Sequence, residues 1–191
     1  MSSMQGPIRH SQPINCGVFS QDEQLIVTGS DDKNARGILW KRDQGQWKSV
    51  SNIMGHSGGI TAAAFSPIHQ LRLLTGSRDG TAKLWDISRW TALGDKPVDQ
   101  TSASNLTIEE LLTLSGHVDE VTAVEFDHTG QYLLTAAQDG KTIRWSSAPI
   151  DPTIISHFDS LDLKPGQSTV IGQAFEILDP VSPALHGGVL S

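Results

Sequence analysis

Seven histidines, 21 carboxylates and one cysteine give this 191-residue chain the side chains that metal binding or nucleophilic catalysis needs. A metal site on one element wants two histidines at HxxxH-like spacing, so that both imidazoles meet one ion. His69, His128, His157 and His186 are scattered without that spacing, and His10, His56 and His117 recur for another reason, given below. Cys16 acts as a nucleophile only as a thiolate. Its neighbours Asn15 and Gly17 sit in an apolar run, where a cysteine serves as a small buried hydrophobe. The chain has no GxxxxGK[ST], no GxGxxG after a strand and no GxSxG. Arg36, Arg78 and Arg144 are the one start of a cationic cluster at which an anionic substrate could be held. No catalytic constellation converges, so no catalytic residue, cofactor or metal is expected.

Elements that position these residues come from a repeat. His10, His56 and His117 each stand nine residues before a phenylalanine (Phe19, Phe65, Phe126), and each leads on to a tryptophan (Trp40, Trp85, Trp145). The residues after each histidine read as a strand: 14–19, 60–65 and 121–126. Turn-forming residues follow at 20–23, 66–69 and 127–130. Second strands are expected at 25–29, 73–76 and 132–136, tight Asp-Gly turns at 79–80 and 139–140, and third strands through the tryptophans. Asp32 lies eight residues before Trp40, against six for Asp79 and Asp139, so the first of these turns is longer. Fourth strands fit 46–51 and 110–114. A unit of this length, closing on Trp-Asp or a relative, is a propeller blade of four short strands.

Charge and cysteine usage narrow the setting. A formal net charge of −7 with no basic cluster argues against a nucleic-acid surface. The first residues lack a signal-peptide apolar stretch, and no run approaches a membrane span. A lone cysteine makes no internal disulfide. The expectation is a cytoplasmic protein without nucleic-acid or membrane partners.

On Gly55-His56, Thr75-Gly76-Ser77, Asp79-Gly80 and Lys83-Leu84-Trp85-Asp86, the sequence resembles the WD-repeat family of β-propellers, with looser matches in the flanking repeats. Arg9-His10 and Trp40-Lys41 depart from Gly-His and Trp-Asp in the first. The resemblance implies a buried polar tetrad, His56, Ser77, Asp79 and Trp85, in the second repeat. Such groups can satisfy one another out of water. In the third it implies His117, Asp139 and Trp145, with Ala137 standing where Ser77 does, so that Thr135 or a water must substitute or that tryptophan is partly exposed, and Ala137→Ser is expected to stabilise the blade. Ser77-Arg78-Asp79-Gly80 falls short of a sialidase-type Asp box, which has a further residue between Asp and Gly.

The expected fold is all-β: an open partial propeller of three four-stranded WD-like blades plus a degenerate fourth. Its divisions are an arm at 1–9, repeats at 10–55, 56–116 and 117–156, and a degenerate repeat with a Pro- and Gly-rich tail at 157–191. The second repeat carries a long insertion near 87–109. In the family one rim binds peptides or proteins; Asp31, Ser57, Arg78, Asp119 and Gln138 would lie near it, and Trp90 in the insertion is either packed back on its blade or offered to a partner. Three blades are too few to close a ring. The expected function is therefore a non-catalytic scaffold for protein or peptide partners, completed by a longer chain or by another chain. The alternative is the regulatory or sensor segment of a kinase- or protease-linked signalling enzyme.

Overall fold

The computed structural model describes residues 9–33, 36–67, 72–88, 108–146 and a strand at 174–178. It is built of three four-stranded antiparallel sheets. The first contains β1 (Ile14–Phe19), β2 (Leu25–Ser30), β3 (Gly37–Asp43) and β4 (Gln46–Ile53) in chain order. The second contains β5 (Ile60–Phe65), β6 (Arg72–Ser77), β7 (Thr81–Asp86) and β8 (Glu109–Ser115); the third contains β9 (Val121–Phe126), β10 (Tyr132–Ala137), β11 (Thr142–Ser146) and β12 (Ala174–Leu178). Among the described residues the three sheets pack in series, first on second and second on third, as the blades of an open partial propeller.

One expectation changes. Within the span expected to form a degenerate fourth repeat, Ala174–Leu178 pairs with β11, from Thr142 opposite Leu178 to Trp145 opposite Ala174, and is the outer strand of the third blade. A blade needs its fourth strand, and here a distant segment supplies it. The remainder of 157–191 lies outside the described residues, as do Trp90, His69 and most of the 87–109 insertion. That insertion leaves and re-enters the blade at Asp86 and Glu109, which face each other in the β7–β8 ladder.

Turn chemistry explains the hairpins. Gly80 and Gly140 both have φ of +78°, and their N–H groups bond back to the carbonyls of Ser77 and Ala137. Glycine adopts that left-handed backbone without a Cβ penalty. In the first blade the loop closes from Ser30 N to Arg36 O, a longer span than Ala137 N to Lys141 O in the third, matching the extra residues before Trp40.

Each sheet has two faces, and the core lies between sheets. Leu25, Val27, Leu39 and Ile53 of the first blade pack on Ile60, Leu73 and Trp85 of the second. On the other side of the second blade, Ala64, Leu74, Leu84 and Leu112 pack on Val121, Val124, Phe126, Leu133 and Trp145 of the third. Thus a tryptophan-bearing face meets an aliphatic row from the blade before it, twice. Each first strand carries a bulge, at Asn15, Thr61 and Thr122. The bulge frees a side chain from the ladder. Asn15 uses it to donate to the carbonyl of Ile60, and Thr61 to that of Val121, which ties successive blades together.

Candidate functional site: polar tetrads and the rim

Strand register decides which hydroxyl meets the tryptophan. In the β6–β7 ladder Leu73 stands opposite Trp85 and Thr75 opposite Lys83, so Thr75 is the diagonal neighbour of the indole on the same face. Trp85 Nε1–H donates to Thr75 Oγ1 at 2.8 Å, and Thr75 Oγ1 lies 2.8 Å from His56 Nε2. His56 Nδ1 is 3.1 Å from Asp79 Oδ2, which also accepts from the N–H of Ser57. With Nδ1–H donating to the carboxylate, Nε2 is an acceptor and Thr75 must donate to it. Every donor in the series Trp85, Thr75, His56, Asp79 therefore points the same way, an arrangement in which neighbouring bonds polarise one another.

Ser77, expected as the linking hydroxyl, is not in the chain. It lies one pleat further along the same face, and its Oγ accepts from the N–H of Asp79 inside the turn. The third blade repeats this. Trp145 Nε1–H donates to Thr135 Oγ1 at 2.9 Å, Thr135 is 2.7 Å from His117 Nε2, and His117 Nδ1 is 3.1 Å from Asp139 Oδ2. Ala137 breaks no link, and the reason for expecting Ala137→Ser to stabilise the blade disappears. The first blade has Trp40 Nε1–H on Thr28 Oγ1 at 2.9 Å and Thr28 on His10 Nε2 at 2.7 Å. There the series stops: Asp32 Oδ2 accepts from the N–H of Ser11 at 2.6 Å, as Asp79 does from Ser57, but His10 Nδ1 is buried with no partner among the described residues.

Asp–His–Thr in hydrogen-bonded order has the connectivity of a catalytic triad. Burial removes that use. Thr75 is fully buried, His56 is 5% exposed, and the threonine's lone pair is taken by an indole N–H, so no substrate carbonyl can reach the hydroxyl. Burial disfavours the charged form of Asp79, but hydrogen bonds from His56 and Thr81 outweigh it and hold the carboxyl far below its ordinary range. Asp139 shifts the same way: burial opposes, and the N–H groups of Lys141 and Val118 with His117 prevail. For Cys16, half-buried between the first two blades, burial pushes the thiol up, against a lesser effect of Gly29 N–H. Such a thiol is a poor nucleophile. Among the described residues no three His, Cys, Asp or Glu side chains group as metal ligands.

The rim residues form a second polar assembly, this one exposed. Arg78 Nε donates to Asp31 Oδ1 at 2.8 Å and Nη1 to Glu120 Oε2 at 2.5 Å, so one guanidinium spans three blades. Asn15 also donates to Asp31. Hydrogen bonding to Arg78 lowers the Asp31 carboxyl below its usual value, against a smaller opposing effect of desolvation. Glycine at 59 makes room for this: a Cβ there would lie 1.9 Å from Asp31 Oδ1. Asp119 and Gln138 stand beside the network, Gln138 N–H on Glu120 O, while Ser57 is exposed next to the tetrad of its own blade. Glu120 and Asn15 were missed by sequence reasoning, since only the relative placement of blades brings them to Arg78 and Asp31. The three arginines do not converge: Arg36 acts on Asp31 through its charge, as Arg78 does, while Arg144 lies over the ring of Tyr132 on the third blade, 4.7 Å from its centroid.

Comparison with known proteins agrees with this geometry. The family model described as "WD domain, G-beta repeat" matches residues 4–36, 47–86 and 108–146, more than half of the chain. Similar curated proteins include mitochondrial division protein 1 of Kluyveromyces lactis, 29% identical over 73% of this chain and 18% of that protein. A guanine nucleotide-binding protein subunit beta-like protein of Encephalitozoon cuniculi is 31% identical, covering 69% of this chain and 40% of its own length. Striatin-3 of Bos taurus is 26% identical over 60% of this chain and 15% of its own length. The chain thus spans well under half the length of these relatives. Three matched repeats, three four-stranded blades and three Trp–Thr–His series place the chain in the WD-repeat family of β-propellers.

Proposed function

We propose that this chain is a non-catalytic scaffold that holds protein or peptide partners as part of a larger propeller or assembly. The observation that carries the reading is how its polar chemistry is divided. In the second and third blades the histidines and turn aspartates are bonded within buried series, whereas Asp31, Arg78 and Glu120 form an ion-pair network across three blades on the rim. A surface of mixed charge that offers donors and acceptors on a rigid frame is suited to a peptide segment. The relatives are named for mitochondrial division, for a G-protein β-like subunit and as a striatin, so the repeat array is what they share with this chain. A reducing, cytoplasmic setting belongs to the same reading, supported by the lone half-buried cysteine.

The test is quantitative affinity capture from a cell extract with wild type, Arg78→Ala and, as a remote exposed control, Lys48→Ala. A partner retained by Lys48→Ala and depleted several-fold by Arg78→Ala is expected. Equal recovery with all three baits would remove the rim from the function.

A further inference from the structure

The two outer faces of the array are built differently. Across the first blade's tryptophan face run Phe19, Ile26 and Trp40, the register equivalents of Phe65, Leu73 and Trp85 and of Phe126, Leu133 and Trp145. Trp85 and Trp145 are each 1% exposed beneath the preceding blade, while Phe19 is 59% exposed, packed edge-on against a half-open Trp47. Among the described residues no sheet covers this apolar face, on which Ile26 and Trp40 are half-buried.

The opposite end carries the face that would meet a following blade. In the second blade that row includes Ala64, Leu74 and Leu84; at the matching register positions the third blade has Glu125, Leu134 and Arg144. Burying such charges beneath a hydrophobic sheet is costly. Two further differences point the same way. Gly29 and Gly76 let the next blade approach, since a Cβ on either would lie 2.5 Å from Ile60 Cγ2 or 2.7 Å from Val121 Cγ1; Ala136 stands at the matching place in the third blade. And Thr122, whose counterparts Asn15 and Thr61 bond to the next blade, turns back to its own blade's Ala136 carbonyl at 3.3 Å.

We propose that the array docks at one end only: the Phe19–Ile26–Trp40 face accepts a blade-like sheet bearing a row of small aliphatic residues, and the Glu125–Arg144 face refuses one. The two interfaces inside the molecule define the occupant, since each tryptophan face is covered by Ala, Val and Leu side chains of a neighbouring sheet. A second copy joined head to tail is excluded by its charged row. This deepens the scaffold reading, on which it rests, but it concerns the blade face and not the rim.

The experiment therefore uses two purified proteins and no extract, so that its failure leaves the rim reading standing. A donor carries Glu125→Ala, Ala136→Gly and Arg144→Leu, which restore the second blade's residues at those positions, together with Phe19→Glu to block its own accepting face. Mixed with wild type, whose accepting face is intact, it should form a 1:1 complex by size-exclusion chromatography with light scattering. Phe19→Glu alone, mixed with wild type, should form none. If circular dichroism shows the full donor misfolded, the smaller set Glu125→Ala, Arg144→Leu and Phe19→Glu is used. A folded donor that stays separate overturns the proposal. So does a wild-type dimer abolished by Phe19→Glu, which would mean that two accepting faces pair with each other.

Discussion

The first and second blades share a strand order and a Trp–Thr–His series, and they end it differently. In the second, Asp79 receives His56 and the imidazole is bonded at both nitrogens. In the first, the turn is longer, Asp32 bonds the Ser11 N–H as Asp79 bonds that of Ser57, but His10 Nδ1 has no partner among the described residues. The same residue types thus give a closed polar chain in one blade and an open one in the other, and the open one goes with the longer turn. Identity at the four positions is a weaker statement than connectivity among them.

The comparison can be broken most forcefully at the shared threonine. Thr75→Val keeps shape while orphaning both the Trp85 N–H and His56 Nε2, and should cost about 3 kcal/mol in urea unfolding, since each buried unpaired group costs roughly 1 to 3 kcal/mol. Thr28→Val should cost less than half as much, because Thr28 and Trp40 are only half-buried. Equal losses would mean that the chain's completeness has no energetic meaning. Next, Asp79→Asn should destabilise by about 2 kcal/mol, the scale of a lost charge-assisted hydrogen bond, and Asp32→Asn by clearly less.

Acid provides a related test. The folded-state carboxyls of Asp79 and Asp139 titrate below their ordinary value of 3.8, so their stabilisation is complete above that value and is lost as pH falls towards the folded-state values. Thermal midpoints should hold level above about pH 5 and decline below about pH 4, and Asp79→Asn should flatten the decline. Smaller again is Arg78→Ala: its ion pairs are 46% exposed on the arginine side, so a loss of about 0.5 kcal/mol that shrinks with added salt is expected from melts at low and high ionic strength. Ala137→Ser should leave the melting temperature unchanged, because Thr135 already makes the link.

Much of the fold was legible because β-periodicity, Asp-Gly turns and the recurring His and Trp are local signals. Strands 14–19, 60–65 and 121–126 coincide with β1, β5 and β9. The linking hydroxyl was misread for a reason that is not local: Thr75 and Ser77 point to one face, and only the cross-strand register to Trp85 separates them. The outer strand of the third blade was read as belonging to another repeat, since it comes from a distant segment and carries no motif of its own. Of the rim, Asp31 and Arg78 could be named from their place before the turns. Their union with Glu120 depends on how three blades are set side by side.

Because Asp86 and Glu109 are ladder partners, the ends of whatever joins them are already fixed a strand's width apart. Added length there costs only about 0.6 kcal/mol for each doubling. The β7–β8 junction is thus a port in the scaffold, a place where a peptide, a fluorophore or a whole small domain can be spliced in without disturbing the tetrads or the rim.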